Sequence, residues 1–151
     1  CNRAPATMPH LVILYTPNLD AITDMTVLCR NLADAMLAVK DEAGQQVFPT
    51  GGTRVLAYPA AHFAVADGGA AGVAAGRGSD YAFAYLNLRM ATGRTPATQK
   101  RAGDAVLAQA KAHFEPLMPD HLIGLTVQVD ESAGQVYDGK LSNLHPLFPK
   151  L

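Results

Sequence analysis

The stretch DYAFAYLNLRM, residues 80–90, decides the architecture. Successive side chains of an extended chain point to opposite faces, so Tyr81, Phe83 and Tyr85 share one side and Ala82, Ala84, Leu86, Leu88 and Met90 the other. Both sides are largely apolar, which predicts a strand in the middle of a sheet. Downstream, Thr95-Pro96 reads as a helix start: the threonine hydroxyl can cap free N–H groups, and proline in the first turn forfeits no hydrogen bond. Val106, Leu107, Ala110, Phe114 and Leu117 then recur at helical spacing, the helix ends near Pro119, and HLIGLTVQV at 121–129 predicts another strand. The same order occurs once upstream. PHLVILY at 9–15 predicts a buried strand, and Met25, Leu28, Leu32, Met36 and Val39 form one apolar stripe on a helix over 21–39. Gly44, Pro49, Gly51 and Gly52 break the pattern before TRVLAY at 53–58 resumes an extended one. Two β-α-β units follow, an α+β domain with helices packed on one side of a sheet.

Composition narrows the partners. A chain of 151 residues that is 49% hydrophobic and 17% charged buries a sizeable core and fits one domain, spanning 9–151. Its 12 basic and 13 acidic residues are dispersed and nearly cancel, which gives no electrostatic pull toward nucleic acid or an anionic membrane and favours a small-molecule partner. No apolar run approaches the roughly 18 residues of a membrane span. The two cysteines, Cys1 and Cys29, form no disulfide framework or CxxC metal pattern, which suits a reducing cytoplasm. His10, His62, His113, His121 and His145 lack metal-ligand spacing and are read as structural or surface residues.

Two segments fall outside the repeat. GGAAGVAAGRGS at 68–79 is too poor in large side chains to hold a core. It reads first as a surface insertion and alternatively as a flexible lid whose Arg77 reaches an anionic ligand. Residues 136–151 carry Leu141, Leu144, Leu147 and Phe148, which need a surface to cover, on their own domain or on a neighbouring subunit.

A set of short motifs goes further: Met8-Pro9-His10, Phe48-Pro49 followed by Gly52-Thr53-Arg54, Ala66-Asp67-Gly68, Asp80-Tyr81-Ala82-Phe83, Gly93-Arg94, and Ala112-His113-Phe114 followed by Leu117-Met118. In this order and spacing, apart from the glycine-rich insertion, the chain resembles the 5-carboxymethyl-2-hydroxymuconate isomerases of the tautomerase superfamily from Met8 to Phe148. The resemblance implies a tautomerase-like fold, a homotrimer with sites near subunit boundaries, and a cofactor-independent isomerase of aromatic-acid breakdown. Its substrate would be an unsaturated dicarboxylate or keto acid. By position Pro9 matches the family's N-terminal catalytic proline, and Arg54 and Arg94 match its active-site arginines.

The chemistry of those residue types agrees. An α-amino group titrates at roughly 7.7–8.0, so it can take a proton from carbon near neutral pH with little tuning. An apolar setting and nearby guanidinium groups both disfavour its protonated form. Arginine's planar fork binds a carboxylate in two places and stabilises charge developing on a dienolate oxygen. Each residue also has a plainer reading. Proline is common at strand starts, either arginine can be an ordinary solvated one, and Tyr81 and Phe83 are expected in the core more than as walls of a substrate pocket.

In the sequence Pro9 follows eight residues, and its nitrogen is then an amide without basicity. The isomerase reading therefore requires that residues 1–8 be an expression remnant, a misplaced start before Met8, or a leader removed in the cell. If they are retained, the alternative is a non-catalytic trimeric ligand-binding protein on the same fold. A third reading is a phenylpyruvate-type tautomerase with the same base and a different pocket.

Overall fold

Two parallel strand pairs are joined by one antiparallel pairing. The computed structural model describes residues 9–149; the expected leader, 1–8, lies outside them. Strands β1 (His10–Tyr15), β2 (Arg54–Pro59), β3 (Tyr81–Ala91) and β4 (Leu122–Ser132) form one sheet in the order β2-β1-β3-β4. β1 runs parallel to β2 and β3 parallel to β4, while β1 and β3 are antiparallel. Helix α1 (Met25–Leu37) crosses between β1 and β2, and α3 (Pro96–Phe114) between β3 and β4. These are the two β-α-β units expected from the sequence.

Both long helices lie on one face and pack against each other. Leu11 and Ile13 of β1, Leu86 and Leu88 of β3, Leu28, Leu32 and Met36 of α1, and Val106, Ala110 and Phe114 of α3 have no solvent exposure. Asp24 starts α1 by accepting from the N–H groups of Thr26 and Val27, so the helix begins at Met25, the first residue of the stripe, and not at the expected residue 21. A 3-10 turn, Pro17–Ala21, precedes it, and Val39 is buried just past its end. Thr95 caps α3 through the N–H of Thr98, as expected.

The second face of the sheet carries no helix. Leu14, Leu56 and Tyr58 stand 48%, 45% and 50% exposed there. Tyr81 and Phe83, expected in the core, are only half-buried on the same face, as is Tyr85.

The glycine-rich insertion is a packed turn containing the short helix α2 (Ala70–Ala74). Asp67 accepts from the N–H groups of Gly69 and Ala71, both at 3.0 Å, and Gly72 donates to the Tyr81 hydroxyl at 2.9 Å. A Cβ at Gly72 would sit 2.2 Å from the carbonyl oxygen of Gly78, so only glycine lets these strands of backbone meet. Arg77 donates to the carbonyls of Met118 and Pro119. Its guanidinium pins the insertion down, which replaces the flexible-lid reading. The tail returns through a turn at His145–Leu147, where His145 and Phe148 pack on Gly51. Val136, Tyr137 and Leu141 stand clear of the domain.

Candidate active site

Strand direction alone gathers the candidate residues. β1 and β2 start, and β3 and β4 finish, at the same end of the sheet. Pro9 immediately precedes β1 and is buried, continuing the inward alternation of Leu11, Ile13 and Tyr15. Arg54 opens β2 as the cross-strand partner of His10. Arg94 lies three residues beyond β3 and is exposed. All three expected site residues thus stand at one end, and Arg77 and the insertion stand at the other, beside the start of β3.

The approach to Arg54 is rigid. Gln46 donates to the carbonyl of Phe48 and to Thr50, and the Thr53 hydroxyl donates to the Pro49 carbonyl at 2.9 Å. Arg94 holds the same loop by donating from Nη2 to the Val47 carbonyl at 2.9 Å. Glu42 adds a second tie, accepting from the hydroxyls of Thr95 and Thr98 at the start of α3. These hydroxyl bonds, that of Thr95 foremost, hold the Glu42 carboxyl below its usual pKa.

On the open face a polar row crosses the whole sheet: Arg54, His10, Arg89 and Asp130 are successive cross-strand neighbours. Burial lowers the His10 pKa, and the Arg54 and Arg89 guanidinium groups lower it further. The imidazole is therefore neutral at physiological pH between two permanent cations. Arg89 donates from Nε to Asn87 Oδ1 at 2.9 Å, and Asn87 donates from Nδ2 to Asp130 Oδ2 at 2.8 Å. Asn87 is only 4% exposed, so it fixes the arginine from below. Sequence reasoning missed Arg89, Asn87 and Asp130 and set His10 aside. The signal was present, because Asn87 and Arg89 continue the face of Tyr81, Phe83 and Tyr85 and place polar groups where the strand was otherwise apolar.

Other concave regions lie elsewhere. A cavity of about 620 Å³ at the far end of β1 is lined by Tyr15, Asp20, Thr23, Asp24 and Cys29. There burial, with the Asp20 hydrogen bond, pushes the Tyr15 hydroxyl up to about 12, and burial raises the Cys29 thiol. A groove of about 370 Å³ runs between α3 and β4 past Lys100, Leu107 and Val127. Among the described residues, no group of three or more His, Cys, Asp or Glu is arranged to hold a metal ion, and no helix is long and apolar enough to cross a membrane.

Comparison with known proteins points the same way. The family model for 5-carboxymethyl-2-hydroxymuconate isomerase matches residues 9–148. A crystal structure of a 5-carboxymethyl-2-hydroxymuconate delta-isomerase is 59% identical and superposes with a TM-score of 0.91, covering 96% of this chain and 95% of that one. A 5-carboxymethyl-2-hydroxymuconate isomerase from Deinococcus radiodurans R1 is 28% identical, with a TM-score of 0.75 over 96% of this chain and 97% of that one. The 5-carboxymethyl-2-hydroxymuconate Delta-isomerase of Escherichia coli is 25% identical over 141 residues, 93% of this chain and 99% of that protein.

Proposed function

The chain belongs to the 5-carboxymethyl-2-hydroxymuconate isomerase family, and from that premise we propose that it isomerises 5-carboxymethyl-2-hydroxymuconate or a close analogue, with the Pro9 amine as base. The observation that carries this reading is the convergence of Pro9, Arg54 and Arg94 at one end of the sheet.

With its nitrogen free, Pro9 takes the proton of the substrate's 2-hydroxyl group and delivers it to the far carbon of the diene, so that the 2-hydroxydiene becomes a 2-oxo-3-ene. Its pyrrolidine ring holds the lone pair in one direction, and the cations nearby favour the unprotonated amine. Arg54 and Arg94 bind substrate carboxylates and stabilise the negative charge of the dienolate. The chemistry needs no cofactor, since the amine and the guanidinium groups supply both proton transfer and charge stabilisation.

We further propose a cytoplasmic homotrimer serving aromatic-acid breakdown. The exposed Leu14, Leu56 and Tyr58 form an apolar interior to the helix-free face, with the Arg54–His10–Arg89–Asp130 row as its polar rim. Apolar interiors bounded by polar rims are what protein interfaces bury. A neighbouring copy on this face would leave the Pro9 end at the subunit boundary.

The test is to prepare the chain beginning at Pro9 and the chain retaining residues 1–8, and to follow the isomerisation by ultraviolet absorbance. Turnover only with the free proline, abolished in Pro9→Ala, supports the amine mechanism. Equal turnover with the leader in place overturns it. Ligand binding without turnover in either form favours a binding protein.

A further inference from the structure

We propose that Arg89 is a substrate-binding arginine, taking the carboxylate that Arg54 and Arg94 leave unmatched. The inference rests on the isomerase reading of the Pro9 end.

The proposed substrate carries three carboxylates, two from the muconate and one from the carboxymethyl arm. Arg54 and Arg94 match two of them. Arg89 is the cross-strand partner of His10, one residue along from Pro9, so it faces the same end of the sheet from the side opposite Arg54. Two strand spacings separate the Arg54 and Arg89 backbones, roughly 10 Å, a gap that a multiply charged ligand can bridge with the two long side chains closing on it.

Arg89 is also prepared for this role. Its Nε is occupied by Asn87, which is buried and anchored to Asp130, while the side chain as a whole is exposed. Fixing Nε orients the guanidinium plane and leaves the outer edge for a bidentate carboxylate. No salt bridge of Arg89 forms among the described residues, although Asp130 is its neighbour on β4. Asp130 instead holds Asn87. Neutral His10 between the two arginines spares the row a third positive charge, and it can donate or accept as the ligand requires. Asn87 is accordingly a positioning residue, acting through Arg89.

Two readouts test the proposal. Calorimetric titration with tricarballylate, a saturated tricarboxylate, should show about tenfold weaker binding to Arg89→Gln than to the unmodified chain. Glutarate, a dicarboxylate, should bind both alike, and Arg89→Lys should recover part of the tricarboxylate affinity. In turnover, Arg89→Gln and Asn87→Ala should raise KM severalfold with kcat changed less than about twofold, as for a contact made equally in ground and transition states. Equal weakening of both probes, unchanged tricarboxylate affinity, or a fall in kcat at constant KM would overturn the assignment. A chain beginning at Pro9 that binds tricarballylate through Arg89 but never turns over would sink the isomerase reading and leave Arg89 as an anion-binding residue.

Discussion

Arg94 donates to the carbonyl oxygen of Val47 at 2.9 Å, tying the turn after β3 to the loop that delivers Arg54. The same guanidinium that is proposed to meet the substrate also sets the position of the other arginine's approach. Arg94→Lys keeps the charge and loses the fork. We expect kcat/KM to fall by about 10- to 100-fold, equivalent to about 1.4–2.7 kcal/mol, with little change in thermal stability because the side chain is exposed. Steady-state kinetics with scanning calorimetry check this.

The histidines give a pH dependence with a definite sign. Burial lowers His113, against a smaller opposing pull from Asp24, and burial with two arginines lowers His10, both from an ordinary value of 6.5. The unfolded chain then binds protons at a higher pH than the folded one. Stability from these groups is complete above about pH 6.5 and is lost as pH falls through their lowered folded values. His113 Nε2 lies 2.8 Å from the Thr23 hydroxyl, and glutamine can keep a bond there without titrating. Urea melts at pH 7.5 and 5.0 should show a smaller acid loss in His113→Gln than in the unmodified chain.

Phe114 is completely buried where the end of α3 meets the sheet and α1, with its ring edge-on to His113. Phe114→Ala removes one of the largest fully buried side chains and leaves a cavity in the core. A loss of about 3–5 kcal/mol is expected by urea denaturation.

Leu14 is 48% exposed in the middle of the helix-free face. If that face joins subunits, Leu14→Glu places an unpaired charge inside the interface. Sedimentation should then show monomers with an unchanged far-ultraviolet spectrum, whereas an unaltered sedimentation coefficient would locate the interface elsewhere.

The insertion yields a contrast. Gly72→Ala drives a methyl into the Gly78 carbonyl and should cost about 1–3 kcal/mol of stability. Arg77→Ala should make the 76–79 segment easier to cut by protease while leaving KM within about twofold, because Arg77 is bound to Met118 and Pro119 at the end remote from Pro9.

Much of this fold was legible in periodicity. Leu28, Leu32 and Met36 repeat at helical spacing because one helix face is buried, and the alternation at 81–90 reports the strand directly. The expected start of α1 at residue 21 overran the true one at Met25 because the segment between the 3-10 turn Pro17–Ala21 and the cap, Asp24, contains no glycine or proline to break the pattern. Order in the insertion was illegible for a different reason. It comes from backbone contact between glycines and from Tyr81, which short-range patterns do not encode. At the candidate site, the family motifs pointed to Pro9, Arg54 and Arg94. The Glu42 tie joins residues 53 and 56 positions apart, a pairing that no local pattern announces.

The returning tail has a practical consequence. With His145 and Phe148 seated on Gly51, three residues before Arg54, the late part of the chain comes back to the end of the sheet where Pro9 begins it. An affinity handle ahead of Pro9 would block the proposed base, and one joined behind the tail would crowd the loop that carries Arg54. The exposed Ala75, at the end of α2 on the far end of the molecule and with ordinary backbone angles, is the place to introduce a cysteine for a fluorophore or a surface tether.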